Sequence, residues 1–144
     1  MQISIITLGV SDLERSLQFY RDGLGFPTTK SVEDGIIFFK TGGVCLALYP
    51  YDKLVEDYNP GSGPVPERSG GFSGITLAHN TREKSEVEKI LDRAEKAGGR
   101  IVKPAQDVFW GGFSGYFADP DGYLWEVAYA DSWEFNEDGS LVID

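Results

Sequence analysis

The sequence predicts an α+β protein built from two βαβββ modules, and three observations carry that prediction. Residues 6–16 read ITLGVSDLERS, and residues 75–85 read ITLAHNTREKS, a strand-then-helix pattern repeated 69 residues on in a 144-residue chain. A repeat this long marks duplicated supersecondary units, with any site expected in a cleft between them. Each copy is followed by short β-branched and aromatic runs, GIIFFK (35–40) and VCLALYP (44–50) in the first and GGFSGYFADPDGYLWEVAY (111–129) in the second. Eighteen glycines fall between these runs as turn punctuation rather than in a tract.

The elements follow in order. A first strand is expected over 3–10. Ser11 stands three residues before Glu14, a capping-box spacing. Leu13, Leu17, Tyr20 and Leu24 recur at helical spacing, which places a helix over 12–22 that Gly23 and Gly25 end. Extended stretches are expected at 28–33, 35–40 and 44–50, with Gly42-Gly43 turning the last pair. Residues 51–73 hold Asn59-Pro60-Gly61, Gly63-Pro64, Pro66 and Gly70-Gly71, and read as a linker. The second module starts with a strand at 74–79 and a helix over 82–97, with Ser85 and Glu88 as its capping pair. Val87, Ile90, Leu91, Ala94 and Ala97 form its apolar stripe. Gly98-Gly99 stops it, RIVKP (100–104) opens a strand, and Asp119-Pro120-Asp121-Gly122 turns a hairpin. One domain is expected over 1–130, with modules at about 3–50 and 74–130. Residues 131–144 form a surface tail with an Asp138-Gly139 turn.

Composition excludes several classes. Net charge is −10, which repels nucleic acid and tolerates a cationic small molecule. No apolar run reaches the roughly 20 residues of a membrane span, and the start has neither a basic segment nor a cleavage site. Cys45 is the single cysteine, so no intrachain disulfide can form and a cytoplasmic setting is expected. Among apolar neighbours on its strand, Cys45 reads as a buried thiol. His79 is the single histidine. Alternation puts it on the side of Ile75 and Leu77, opposite Gly74, as a structural residue.

ITLGVSDLERSLQFYRDGLGF and GYFADPDGYLWEVAY resemble the vicinal-oxygen-chelate superfamily of glyoxalases, fosfomycin-modifying enzymes, ring-cleaving dioxygenases and bleomycin-resistance proteins. The resemblance spans residues 3 to about 130. It implies paired βαβββ modules, a homodimer and, in metal-dependent relatives, a divalent ion held by two histidines and a glutamate. The first histidine would fall at Ile5, and the repeat carries that position onto Gly74. The glutamate of the D-P-D-G-x-x-x-E pattern is present as Glu126. Isoleucine has no lone pair and glycine only its backbone, so neither a metal nor another cofactor is expected.

Glu126 shares a strand face with Leu124 and Ala128, while Trp125 and Val127 point the other way into the core. A carboxylate there can bind a cation, accept a hydrogen bond or act as a general base. Trp110 and Phe113 flank Gly111-Gly112 and suit a stacking surface. A symmetric turn at 119–122 puts Phe113 and Gly115 on the face of Glu126, whereas a one-residue bulge puts Tyr116 there. Ligand-binding candidates are therefore Trp110, Phe113, Tyr116 and Glu126, with Glu126 the catalytic candidate. Three functions fit: a metal-free binder of a small organic molecule in the inter-module cleft, with a cationic guest suiting the −10 charge; a lyase, isomerase or dioxygenase-type enzyme using Glu126 or a rebuilt metal site; and a non-catalytic dimeric scaffold.

Overall fold

Both β-branched runs of the repeat become strands, and each leads into a helix capped by an acidic side chain. The computed structural model describes residues 1–61 and 63–143; Ser62 of the linker and Asp144 of the tail lie outside the described residues. The chain divides into two units, Met1–Phe72 and Ser73–Asp144.

Among the described residues, the N-terminal unit holds a three-stranded sheet in the order β1-β3-β2. β1 (Ile5–Val10) runs parallel to β3 (Cys45–Pro50), and β2 (Ile37–Lys40) antiparallel to it. Ile37 and Phe39 pair with Leu48 and Leu46, and all four are buried on the same side. α1 (Leu13–Leu17) continues into a π-helical turn, Gln18–Gly23, which delivers Tyr20 into that side. The fully buried Tyr20 ring lies 5.0 Å from Phe19, 5.7 Å from Phe26 and 5.9 Å from Phe39. Burying each such ring contributes about 1.5–3 kcal/mol, so this aromatic cluster is what holds α1 to the sheet.

Three local expectations are corrected here. Asp12, not Ser11, caps α1: its carboxylate accepts the Arg15 N–H at 2.9 Å, and the Ser11 hydroxyl instead takes the Arg15 guanidinium at 2.8 Å. The stretch 28–33 forms no strand and ends in a 3₁₀ turn, Val32–Asp34. Ser31 and Asp34 bond each other's backbone and side chains, which removes those groups from a ladder. The Pro27 carbonyl still accepts the Lys40 N–H, and the Thr28 hydroxyl donates to the Phe38 carbonyl at the edge of β2. The linker opens with a helix, α2 (Tyr51–Tyr58). It lies on β1 at Gly9, where a Cβ would sit 2.9 Å from the Tyr51 ring and 3.2 Å from Leu54.

The C-terminal unit carries the complete module. β4 (Thr76–Asn80), β5 (Arg100–Asp107), β6 (Phe113–Ala118) and β7 (Leu124–Tyr129) form a four-stranded sheet in the order β4-β7-β6-β5. β4 and β7 are parallel and the other pairs antiparallel. α3 (Lys84–Lys96) buries Val87, Leu91 and Ala94, the predicted stripe, against one face. Its cap is Glu83 with Glu86 as the partner, two residues before the expected Ser85–Glu88 pair. Gly98, at φ +109°, closes it. Trp125 stacks on Phe117 with centroids 6.0 Å apart, in the core as expected. The tail folds back as a small hairpin with a Phe135–Leu141 bridge and Gly139 in its turn. No helix among the described residues is long and apolar enough to cross a membrane.

Candidate functional site

The hairpin turn decides which residues share a face with Glu126. The Asp119 carboxylate accepts N–H bonds from Asp121 at 2.9 Å and Tyr123 at 2.8 Å, and the Asp119 N–H reaches the Tyr123 carbonyl at 2.9 Å. The connection therefore spans Asp119–Tyr123, with Gly122 at φ +88° supplying the left-handed position. This odd-length loop shifts the register by one, so Ala118 pairs with Leu124 and Tyr116 with Glu126. Of the two registers the sequence allowed, the chain adopts the one that brings Tyr116 to Glu126.

On β6 and β7, Ser114, Tyr116, Ala118, Leu124, Glu126 and Ala128 thus face away from α3, and β4 adds Thr76, Ala78 and Asn80. Leu91 of α3 sits under Gly115 on the opposite face. Phe113 also belongs to that opposite face, where Lys84 of α3 stands 4.7 Å over its ring. Phe113 therefore does not join Glu126. Trp110 sits in the β5–β6 loop, stacked on Trp133 of the tail at 5.6 Å.

Tyr116 and Glu126 are both half-buried and stand directly opposite each other across β6 and β7. Partial burial raises the Tyr116 pKa, and the charge and hydrogen bond of Glu126 push it further the same way. The phenol therefore keeps its proton at neutral pH. Lys103, paired with Tyr116 from β5, holds its ammonium 6.0 Å from the phenol ring. Sequence reading missed Lys103 because register shifts on either side of it in β5, one of them spanning Pro104, hide its alternation.

Ile5 and Gly74 are where the family resemblance places two histidines. Ile5 is 51% exposed at the start of β1, opposite a half-buried Cys45 rather than the buried thiol expected. Gly74, at φ +81°, precedes β4 and carries no donor side chain. Among the described residues no group of three His, Cys, Asp or Glu side chains is placed to hold a metal. The residues at these positions do not fit a divalent ion.

His79 pairs with Val127, on the α3 side of the sheet as expected. By area it is exposed, yet surrounding protein pushes its pKa below the ordinary value, with the Glu86 carboxylate opposing. The unfolded chain therefore binds a proton at His79 at a higher pH than the folded one. Stability from this group is lost as pH falls through and below about 6.5. We expect His79→Gln to flatten the stability difference between pH 7 and pH 5 in urea titrations, with a small effect because solvent reaches the ring.

The comparisons with known proteins agree on the family. A model of the Glyoxalase/Bleomycin resistance protein/Dioxygenase superfamily matches residues 2–127. The chain belongs to that superfamily. A glyoxalase-related enzyme from Fulvimarina pelagi superposes with a TM-score of 0.86 at 38% identity, over 99% of this chain and 97% of that one. A lactoylglutathione lyase from Agrobacterium tumefaciens gives 0.66 at 26% identity, over 94% and 98%. A glyoxalase/bleomycin resistance protein/dioxygenase from Nocardioides gives 0.71 at 25%, over 99% and 90%. Within the superfamily fold, the mixed sheet of the C-terminal unit presents Glu126 at its centre, on the strand between β4 and β6.

Proposed function

We propose that this superfamily member binds a small organic cation on the face of Glu126 and Tyr116, without the metal that the family's histidines would hold. The observation that carries the reading is the cross-strand Tyr116–Glu126 pair. A carboxylate offers about four lone-pair sites, and on this face they are acceptors for an ammonium or amidine beside the Tyr116 ring. The net charge of −10 favours the same guest. A homodimer and a cytoplasmic setting belong to this reading through the family resemblance and the single thiol.

The test is calorimetric titration with a panel of aromatic amines after dialysis against a chelator. Binding is expected to survive chelation, and Glu126→Gln to weaken it at least about tenfold, the size of one lost bond to a charged group. Binding that vanishes on chelation and returns with a divalent ion overturns the metal-free reading.

A second reading is supported by the Fulvimarina relative, which is described as an enzyme. Glu126 then acts as general base toward a proton next to a carbonyl, with Tyr116 as the neighbouring donor. Loss of solvent-deuterium incorporation into substrate in Glu126→Gln would mark this reading.

A further inference from the structure

The C-terminal tail builds a second concavity that Glu126 does not line. A groove of about 450 Å³ lies where β4 and β7 end, walled by Tyr129, Asp131, Trp133, Glu134 and Phe135 with Arg82 beside them. Its volume is in the range that accepts small ligands. The walls are held in place. Trp133 stacks on Trp110 at 5.6 Å and 23°. Trp110 in turn covers Gly112, where a Cβ would fall 1.9 Å from the indole, so only glycine admits the ring there. The Tyr129 hydroxyl donates to the Asp131 carboxylate, and the Trp133 N–H returns to the Ala130 carbonyl at 3.2 Å.

The chemistry of the groove is that of a cation site. Three aromatic rings and two carboxylates stand against one guanidinium, and that guanidinium is already placed over the Phe135 ring at 4.6 Å. The groove thus already holds one cation by a ring face. Aromatic faces attract cations, and flanking carboxylates add direct charge attraction. An anion would have to share Arg82 with Phe135 and approach both Asp131 and Glu134.

We propose that this groove binds a small organic cation, with its ammonium group against the Trp133 and Tyr129 rings and between the Asp131 and Glu134 carboxylates. The proposal stands apart from the reading of Glu126.

Choline and its neutral isostere 3,3-dimethyl-1-butanol are the probes, read by the indole N–H signals of Trp110, Trp125 and Trp133 in the full chain. Choline is expected to shift the Trp133 signal saturably, and the neutral alcohol to bind at least about tenfold more weakly. The double variant Asp131→Asn/Glu134→Gln should weaken choline about tenfold or more, with an unchanged Trp125 signal showing that the core is intact. Equal binding of both probes, or no saturable shift at Trp133, overturns the proposal. So does a choline response that moves Tyr116 and disappears in Glu126→Gln. Conversely, amine binding insensitive to Glu126→Gln, with the Trp133 response intact, overturns only the proposed function.

Discussion

Gly115→Val is expected to destabilise the C-terminal unit by about 3 kcal/mol or more, the upper range for overpacking a filled core. Gly115 lies on β6 beneath α3, opposite Val127. A Cβ there would lie 2.6 Å from Leu91 Cδ1, 2.8 Å from the Lys103 carbonyl and 2.9 Å from the Ala105 N–H nitrogen. Leucine can rotate away, but the other two atoms are backbone. Both lie in the stretch of β5 where its pairing with β6 shifts register between Lys103 and Gln106, a bulge that spans Pro104. Even Gly115→Ala should therefore lose stability. Replacing glycine in a strand returns about 0.5–1 kcal/mol of chain entropy, less than the roughly 1–3 kcal/mol of the clash. Gly43→Ala is the control: nothing lies within 4 Å of its Cβ position, and its φ lies outside the left-handed range, so it should be neutral or slightly stabilising. Urea unfolding checks both, with unchanged m-values. A Gly115→Ala protein as stable as the wild type would show that α3 and β5 are not packed this closely.

What was readable in the sequence, and what was not, divides along the range of the interactions. The α+β class, both strand–helix starts and the α3 stripe follow from periodicity, which each segment carries within itself. The caps slipped by one or two residues because several acceptors crowd each helix start, and geometry selects Asp12 over Ser11 and Glu83 over Ser85. The helix at 51–58 depends on a distant partner, since Gly9 of β1 admits α2, whereas the strand expected at 28–33 is lost to a local turn in which Ser31 and Asp34 satisfy each other. In the site, Glu126 was legible from the D-P-D-G pattern. The separation of Phe113 from it was not, because a single residue in a turn exchanges the two faces of a strand. The tail groove carries a weak signal, the aromatic and acidic alternation of Tyr129, Asp131, Trp133, Glu134 and Phe135. That run has no regular period to announce it.

Asp119→Ala is expected to cost about 2–4 kcal/mol and to loosen the pairing of Tyr116 with Glu126. Asp119 is only 4% exposed, and its carboxylate holds the Asp121 and Tyr123 N–H groups. Each bond to a charged acceptor contributes about 1.5–3 kcal/mol, and water reaching the freed amides offsets part of the loss. Those two bonds reinforce the five-residue connection beside the backbone bond from the Asp119 N–H to the Tyr123 carbonyl, and without them the four-residue turn over 119–122 becomes more competitive. A shift to that turn would replace Tyr116 by Gly115 opposite Glu126. Asp119→Asn keeps one acceptor oxygen at the same place, so it should lose about half as much stability and retain the register. The readout that separates the two effects is the titration of the Tyr116 ring, followed by carbon-13 labelling of tyrosine. In the wild type burial raises its pKa, and Glu126 raises it further. If the register relaxes in Asp119→Ala, that pKa falls toward the ordinary value near 10, and it stays raised in Asp119→Asn. A destabilised Asp119→Ala protein whose Tyr116 still titrates high would mean that the strands themselves, and not the turn, set the register on which the site depends.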